Sequence, residues 1–254
     1  MRGAMTLDGI ESRAVQERFS EDGYVVVPSL GVAQSEIAAA RALLDELFDR
    51  FASIPPQFAH DLGGSANRSN PILPEINAVS TLAPALRRTA LFRAALGLAR
   101  QLLGPGAYPL YDHAIYKPPG LAGTTSWHQD SGYDPDRAER LAVWMPFQDT
   151  AVADGAMRYV PGSHRAGRRP HLTRTTADGK TVQYLEVDER EVSEAPCPLG
   201  GATAHDLHMV HGAGPNLGEN VRRAWIIDFT VGSLAARTVE AAKEKVRVRR
   251  YAVI

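Results

Sequence analysis

The chain has 254 residues, 44% hydrophobic and 22% charged, and a formal net charge of -1, which is the composition of a globular protein with enough length to bury a sizeable core. Such a charge balance gives no basis for nucleic acid or an anionic membrane as partner. The single Cys197 excludes an intramolecular disulfide and any Cys-pair zinc site.

Met1 to Ser12 carries Arg2 as its only basic residue before Arg13 and has no apolar centre, so it does not read as a signal peptide. No apolar run approaches the ~20 residues that span a bilayer. A cytoplasmic location is expected.

Taken in order, Glu11 to Asp22 has helical spacing and is followed by Gly23, a natural C-cap. Tyr24 to Val27 reads as a buried strand stopped by Pro28. From Val32 to Phe51, Ile37, Ala40, Leu43, Leu44, Leu47, Phe48 and Phe51 repeat as the stripe of a long amphipathic helix. Ala52 to Ala83 loses all period among Pro55-Pro56, Gly63-Gly64, Pro71 and Pro74, and reads as a long loop, either a lid or substrate wall or a surface excursion. Pro84 to Leu103 is helical again and ends at Gly104-Pro105-Gly106.

Beyond Gly106 the texture becomes short strand-like runs: Ala107 to Tyr116, Leu141 to Gln148, Met157 to Val160, Thr181 to Val187, Ala202 to Asp206 and Ala224 to Val231. Turn residues such as Asp154-Gly155 and Gly200-Gly201 separate them. No G-x-G-x-x-G follows a strand, which argues against a dinucleotide fold. The expected class is mainly β with flanking helices: a double-stranded β-helix, the jelly roll of cupins, supported by N-terminal helices. We expect one domain over 1–254, with helical support and a loop in 1–106, the jelly roll in 107–231 and a tail in 232–254.

The chemistry centres on Trp127-His128-Gln129-Asp130. Two residues apart on a strand, His128 and Asp130 would face the same side and could share one metal ion. A third ligand is available from His205, His208 or His211, and spacing alone does not choose among them. Two histidines and one carboxylate would form the facial triad of non-haem Fe(II) oxygenases. Downstream, Arg222 opens a strand on which Arg222, Ala224 and Ile226 share one face and Arg223, Trp225, Ile227 and Phe229 the other. The first face suits a carboxylate-binding pocket, because a guanidinium fork pairs with a carboxylate through two hydrogen bonds. Arg223 reads as a surface charge.

Together with Trp144, the run Asp154 to His164 and His211-Gly212-Ala213-Gly214-Pro215-Asn216, these pieces resemble the phytanoyl-CoA dioxygenase family of Fe(II)- and 2-oxoglutarate-dependent oxygenases. The resemblance covers about Tyr24 to Val231. It implies His128, Asp130 and His211 as iron ligands and Arg222 as the anchor for the distal carboxylate of 2-oxoglutarate, with O2 as co-substrate. It further implies that Trp144 and His113 lie near the co-substrate. His205 and His208 then read most simply as residues behind the ligands or at the surface. Where that family often has serine, this chain has Ala213, so either another donor, such as a hydroxyl from Thr124 or Thr125, replaces it or 2-oxoglutarate binds more weakly. A carboxylate at Asp130 disfavours halogenation. Oxidation of a small-molecule substrate follows, with hydroxylation the default over cyclisation, desaturation or epimerisation. The Ala- and Arg-rich composition suggests bacterial secondary metabolism. A cupin-like enzyme of non-oxidative activity and a non-catalytic binding protein remain as alternatives. Substrate identity and oligomeric state are not readable from the sequence.

Overall fold

A computed structural model describes residues 9–65, 67–120, 123–132, 140–175 and 181–232 of the chain. The expected C-terminal tail beyond residue 232 lies outside them, as do residues 133–139.

The chain begins with helix α1 (Gly9–Asp22), and Gly23, at φ 80°, turns it into β1 (Tyr24–Val27). Helix α2 (Gln34–Asp49) buries Ile37, Ala40, Leu44 and Leu47, the stripe read from the sequence. A short α3 (Val79–Leu82) and a 3₁₀ turn precede α4 (Ala90–Leu103), whose start is capped by the Thr89 hydroxyl accepting from Phe92 N at 3.2 Å.

Two antiparallel sheets make the body. The seven-stranded one has the order β1, β11 (Ala202–Asp206), β6 (Arg140–Pro146), β13 (Arg222–Val231), β4 (Ala107–Lys117), β3 (Pro74–Asn77) and β2 (Ala59–Asp61). The four-stranded one runs β10 (Ser193–Ala195), β7 (Met157–Tyr159), β12 (His211–Ala213) and β5 (Thr125–His128). A separate hairpin pairs β8 (Leu172–Thr175) with β9 (Thr181–Tyr184). This is the jelly-roll architecture expected from the strand pattern.

Strand β13 divides the interior. Trp225, Ile227 and Phe229 belong to the core formed with α2 and α4, where Phe92 lies 6.1 Å from the Trp225 ring. Ala224 and Ile226 belong to a second cluster between the sheets, with Trp144, Met157, Tyr159 and Ala213. The period of two thus sends one face to the supporting helices and the other to the inter-sheet space. Arg223 is not a free surface charge: its Nε donates to Asp45 on α2 at 3.1 Å, and Tyr116 donates to the same carboxylate at 2.7 Å.

The stretch expected as a long loop folds into a hairpin that extends the large sheet, with Glu75 opposite Ile115 and Asn77 opposite His113. One buried carboxylate holds its connection. Asp61 accepts from Gly63 N and Leu73 N at 2.8 Å through Oδ1, and from Ile72 N at 2.9 Å and Ser65 N at 3.1 Å through Oδ2. Periodicity is blind to such side-chain-to-backbone closure, which explains the difference. Asp61→Ala leaves four amides without this acceptor and should cost about 2–4 kcal/mol in denaturant unfolding, taking about 1 kcal/mol for each solvent-compensated bond.

Candidate active site

All seven residues singled out from the sequence, His113, Thr125, His128, Asp130, Trp144, His211 and Arg222, line one cavity of about 470 Å³ between the sheets. His128 and His211, 83 positions apart, are brought together by pairing of β12 with β5, which sets them directly opposite each other, their rings 4.2 Å apart.

Asp130 arrives differently from the sequence expectation. The strand ends at His128, and Asp130 opens a 3₁₀ turn rather than occupying the next same-face position. That turn is locked by fully buried Gln129, whose amide donates to Gly167 O at 2.9 Å and His208 O at 2.5 Å while its Oε1 accepts from Arg169 N at 2.8 Å. Asp130 Oδ1 lies 3.9 Å from both His128 Nε2 and His211 Nε2. The three candidate ligand atoms lie within 4.8 Å of one another.

Backbone carbonyls orient both imidazoles. His128 Nδ1 lies 2.7 Å from Ser126 O and His211 Nδ1 lies 2.9 Å from Met209 O, so each Nδ1 carries the proton and each Nε2 turns its lone pair to the cavity. Burial lowers the pKa of both, and for His211 the neighbouring His205 and His128 lower it further. Burial alone would raise Asp130, yet His211, His205 and His128 hold its carboxyl well below the usual range. Two neutral imidazoles beside a carboxylate form a fitting donor set for a divalent cation.

Arg222 is 2% exposed, with Nε and Nη1 buried and without a hydrogen-bond partner among the described residues. Its guanidinium carbon sits 5.5 Å from the Trp144 ring centroid, so Trp144 supports the cation with its face. Burial pushes the Arg222 pKa down to about 10, which leaves it charged at neutral pH. Lys117, opposite Arg222 in register, turns away and donates to Gly214 O at 2.6 Å. Ala213 faces the cavity in register with Thr125. His113 is held by Glu75, Nδ1 to Oε1 at 2.6 Å.

The sequence left other wall residues unassigned. Glu75 and Asn77 come from the unforeseen hairpin, while Asp228 continues the Arg222, Ala224, Ile226 face by the same period of two. His205 is 2% exposed, with Nε2 only 3.5 Å from Asp130 Oδ2, so it belongs to the site and not to the surface. His208 lies outside the cavity wall. Arg158 points away as well, paired with Glu194 at 2.9 Å and with Glu189.

A phytanoyl-CoA dioxygenase (PhyH) family model matches residues 19–224. The chain belongs to this family. PhyH proteins are Fe(II)- and 2-oxoglutarate-dependent oxygenases, and this PhyH chain brings His128, Asp130, His211 and Arg222 to the wall of one cavity. Among solved structures, EvdO2 from Micromonospora carbonacea var. aurantiaca complexed with 2-oxoglutarate is 30% identical with a TM-score of 0.71, covering 91% of this chain and 94% of that one. Ectoine dioxygenase of Halomonas elongata is 28% identical over 244 residues, 85% of this chain and 68% of its own. The phytanoyl-CoA dioxygenase domain-containing protein 1 homolog of Dictyostelium discoideum is 26% identical over 125 residues, 46% of this chain and 44% of its own. Matches of the latter kind span less than half the length of the curated relative.

Close approach of β12 to β5 depends on Gly212, where a Cβ would meet Thr125 O at 2.8 Å and the Trp127 ring at 3.4 Å. A backbone atom cannot swing aside. Gly212→Ala should therefore push the strands apart and destabilise the metal-free protein by about 1–3 kcal/mol, read as a lower denaturant midpoint.

Proposed function

We propose that this chain is an Fe(II)- and 2-oxoglutarate-dependent dioxygenase that hydroxylates a small-molecule substrate, releasing succinate and CO2. The observation that carries this reading is the buried Arg222 guanidinium, without a partner among the described residues, in the same cavity as the His128, Asp130 and His211 donor set. Burying a cation costs several kcal/mol unless an anion compensates it, which the distal carboxylate of 2-oxoglutarate would do and which a non-oxidative cupin-like enzyme would not need.

His128 Nε2, an oxygen of Asp130 and His211 Nε2 would hold the iron. When bound, iron and 2-oxoglutarate together supply the power to activate O2 and oxidise a substrate C–H bond. The residues of the chain prepare that chemistry. Arg222 would take the distal carboxylate of 2-oxoglutarate in a charge-assisted pair, with Trp144 fixing the plane of the fork. Thr125, opposite Ala213, would supply the hydroxyl that relatives draw from serine. His113, held by Glu75, stands on the same wall and would present its other ring nitrogen to co-substrate or substrate. Met157, Ile226 and Ala142 line the cavity between these groups and limit water.

A cavity of about 470 Å³ suits a small molecule, and its hairpin wall of Leu62, Leu73, Glu75 and Asn77 would help choose it. Bacterial secondary metabolism is the setting that the Ala- and Arg-rich composition supports.

Anaerobic addition of Fe(II) and 2-oxoglutarate should produce a visible absorption band; folded, iron-loaded protein without the band would rule the reading out. His211→Ala should abolish binding of Mn(II), used as an air-stable probe, while His208→Ala should leave it unchanged. Arg222→Ala should weaken 2-oxoglutarate binding about 10- to 100-fold, the equivalent of about 1.5–3 kcal/mol for hydrogen bonds to a charged group. An unchanged titration curve would remove Arg222 from that role.

A further inference from the structure

We propose that His205 is a positioning residue for Asp130, and that a buried chain from Thr203 through Tyr159 to His205 directs a hydrogen-bond donor at the carboxylate oxygen facing away from the two other ligands. The proposal rests on Asp130 being an iron ligand.

The two oxygens of Asp130 meet different surroundings. Oδ1 is 3.9 Å from His128 Nε2 and from His211 Nε2, whereas Oδ2 is 3.5 Å from His205 Nε2. His205 Nε2 is buried and has no hydrogen-bond partner among the described residues, and the Asp130 carboxylate, 3.5 Å away, is the acceptor it faces. On its other side, His205 Nδ1 lies 3.2 Å from Tyr159 Oη, and Tyr159 Oη lies 2.8 Å from Thr203 Oγ1. Thr203 and Tyr159 are fully buried.

The proton positions follow from what each group can do. An ionised carboxylate only accepts, so a favourable contact requires the proton on Nε2. A neutral imidazole then has Nδ1 as acceptor, and Tyr159 O–H donates to it. The Tyr159 oxygen is left to accept from Thr203. Both bonds, and the Nε2–H beyond them, point one way, toward Asp130, and in a low-dielectric interior such chains strengthen one another.

Rigid elements hold the chain in place. Thr203 and His205 are two apart on β11, which is paired on both sides by β1 and β6. The Tyr159 ring stacks on Tyr24 of β1 at 4.3 Å. His205 therefore limits rotation of the carboxylate and leaves Oδ1 as the ligand atom beside the two histidines. Ligation through one oxygen would leave coordination positions open for co-substrate and O2. Neither strand periodicity nor the triad pattern assigns this task.

Mn(II) affinity of the purified chain tests the proposal, with the denaturant midpoint of metal-free protein measured alongside. His205→Leu should weaken Mn(II) binding about 10- to 100-fold, the effect of removing an outer partner of a ligand. His205→Gln returns an N–H near the place of Nε2 and should restore most of that loss. Tyr159→Phe keeps the stacked ring, removes only the hydroxyl, and should show a smaller loss. If the Leu variant does not fold, the Gln and Phe variants carry the test. Wild-type affinity in His205→Leu, or a Gln variant that folds yet binds as weakly as Leu, overturns the role of His205. Absence of Mn(II) binding in the unaltered chain would instead overturn the assignment of the triad.

Discussion

The site depends on one backbone pairing, that of β12 with β5. Strand β12 is only three residues long, but it lies between β7 and β5 and so has both edges hydrogen-bonded. That fixes its register, and a slip by one residue would turn His211 from the cavity to the outer face. Gly212 permits the approach, and the carbonyls of Ser126 and Met209 then set which nitrogen of each histidine faces inward. Ligand geometry is thus built into the main chain, which is less mobile than any side-chain network.

Electrostatics follows from the same enclosure. Burial disfavours both charged forms, imidazolium and carboxylate, yet His211, His205 and His128 hold the Asp130 carboxyl well below its usual range. At the other end of the cavity wall, Arg222 stays cationic over Trp144. A site poised to take a dication at one end and a carboxylate at the other is costly to maintain without them. The helices and the Trp225 side of β13 supply the packing that offsets this cost, since the residues under the site contribute to the core shared with α2 and α4.

The scaffold also places the candidate ligands and the hairpin wall on different parts of the sheets. His211 and Arg222 come from doubly paired strands, His128 from the edge strand β5 and Asp130 from the turn that follows it, whereas the hairpin wall of β2 and β3 lies at the edge of the large sheet. An edge can change in length and composition without disturbing the register of β13 or β12. Asp61 makes this edge well ordered, so the wall is a defined surface and not a loose flap.

By itself the sequence determined the helices, most strands and the two faces of β13, because burial on one side imposes a period that survives in the residue pattern. The resemblance carried by Trp127 to Asp130, His211 to Asn216 and Arg222 selected the candidate ligands and anchor, although spacing left His205, His208 and His211 equivalent. Only the tertiary structure decided that Asp130 leaves the strand and enters a turn, that a Pro- and Gly-rich stretch becomes a hairpin, that Arg223 clamps α2, and that His205 stands behind Asp130. Each of these rests on a partner far away in the chain: a carbonyl, a carboxylate or a neighbouring strand. Periodicity records which side of a residue is dry, but carries no information about which distant group meets it there.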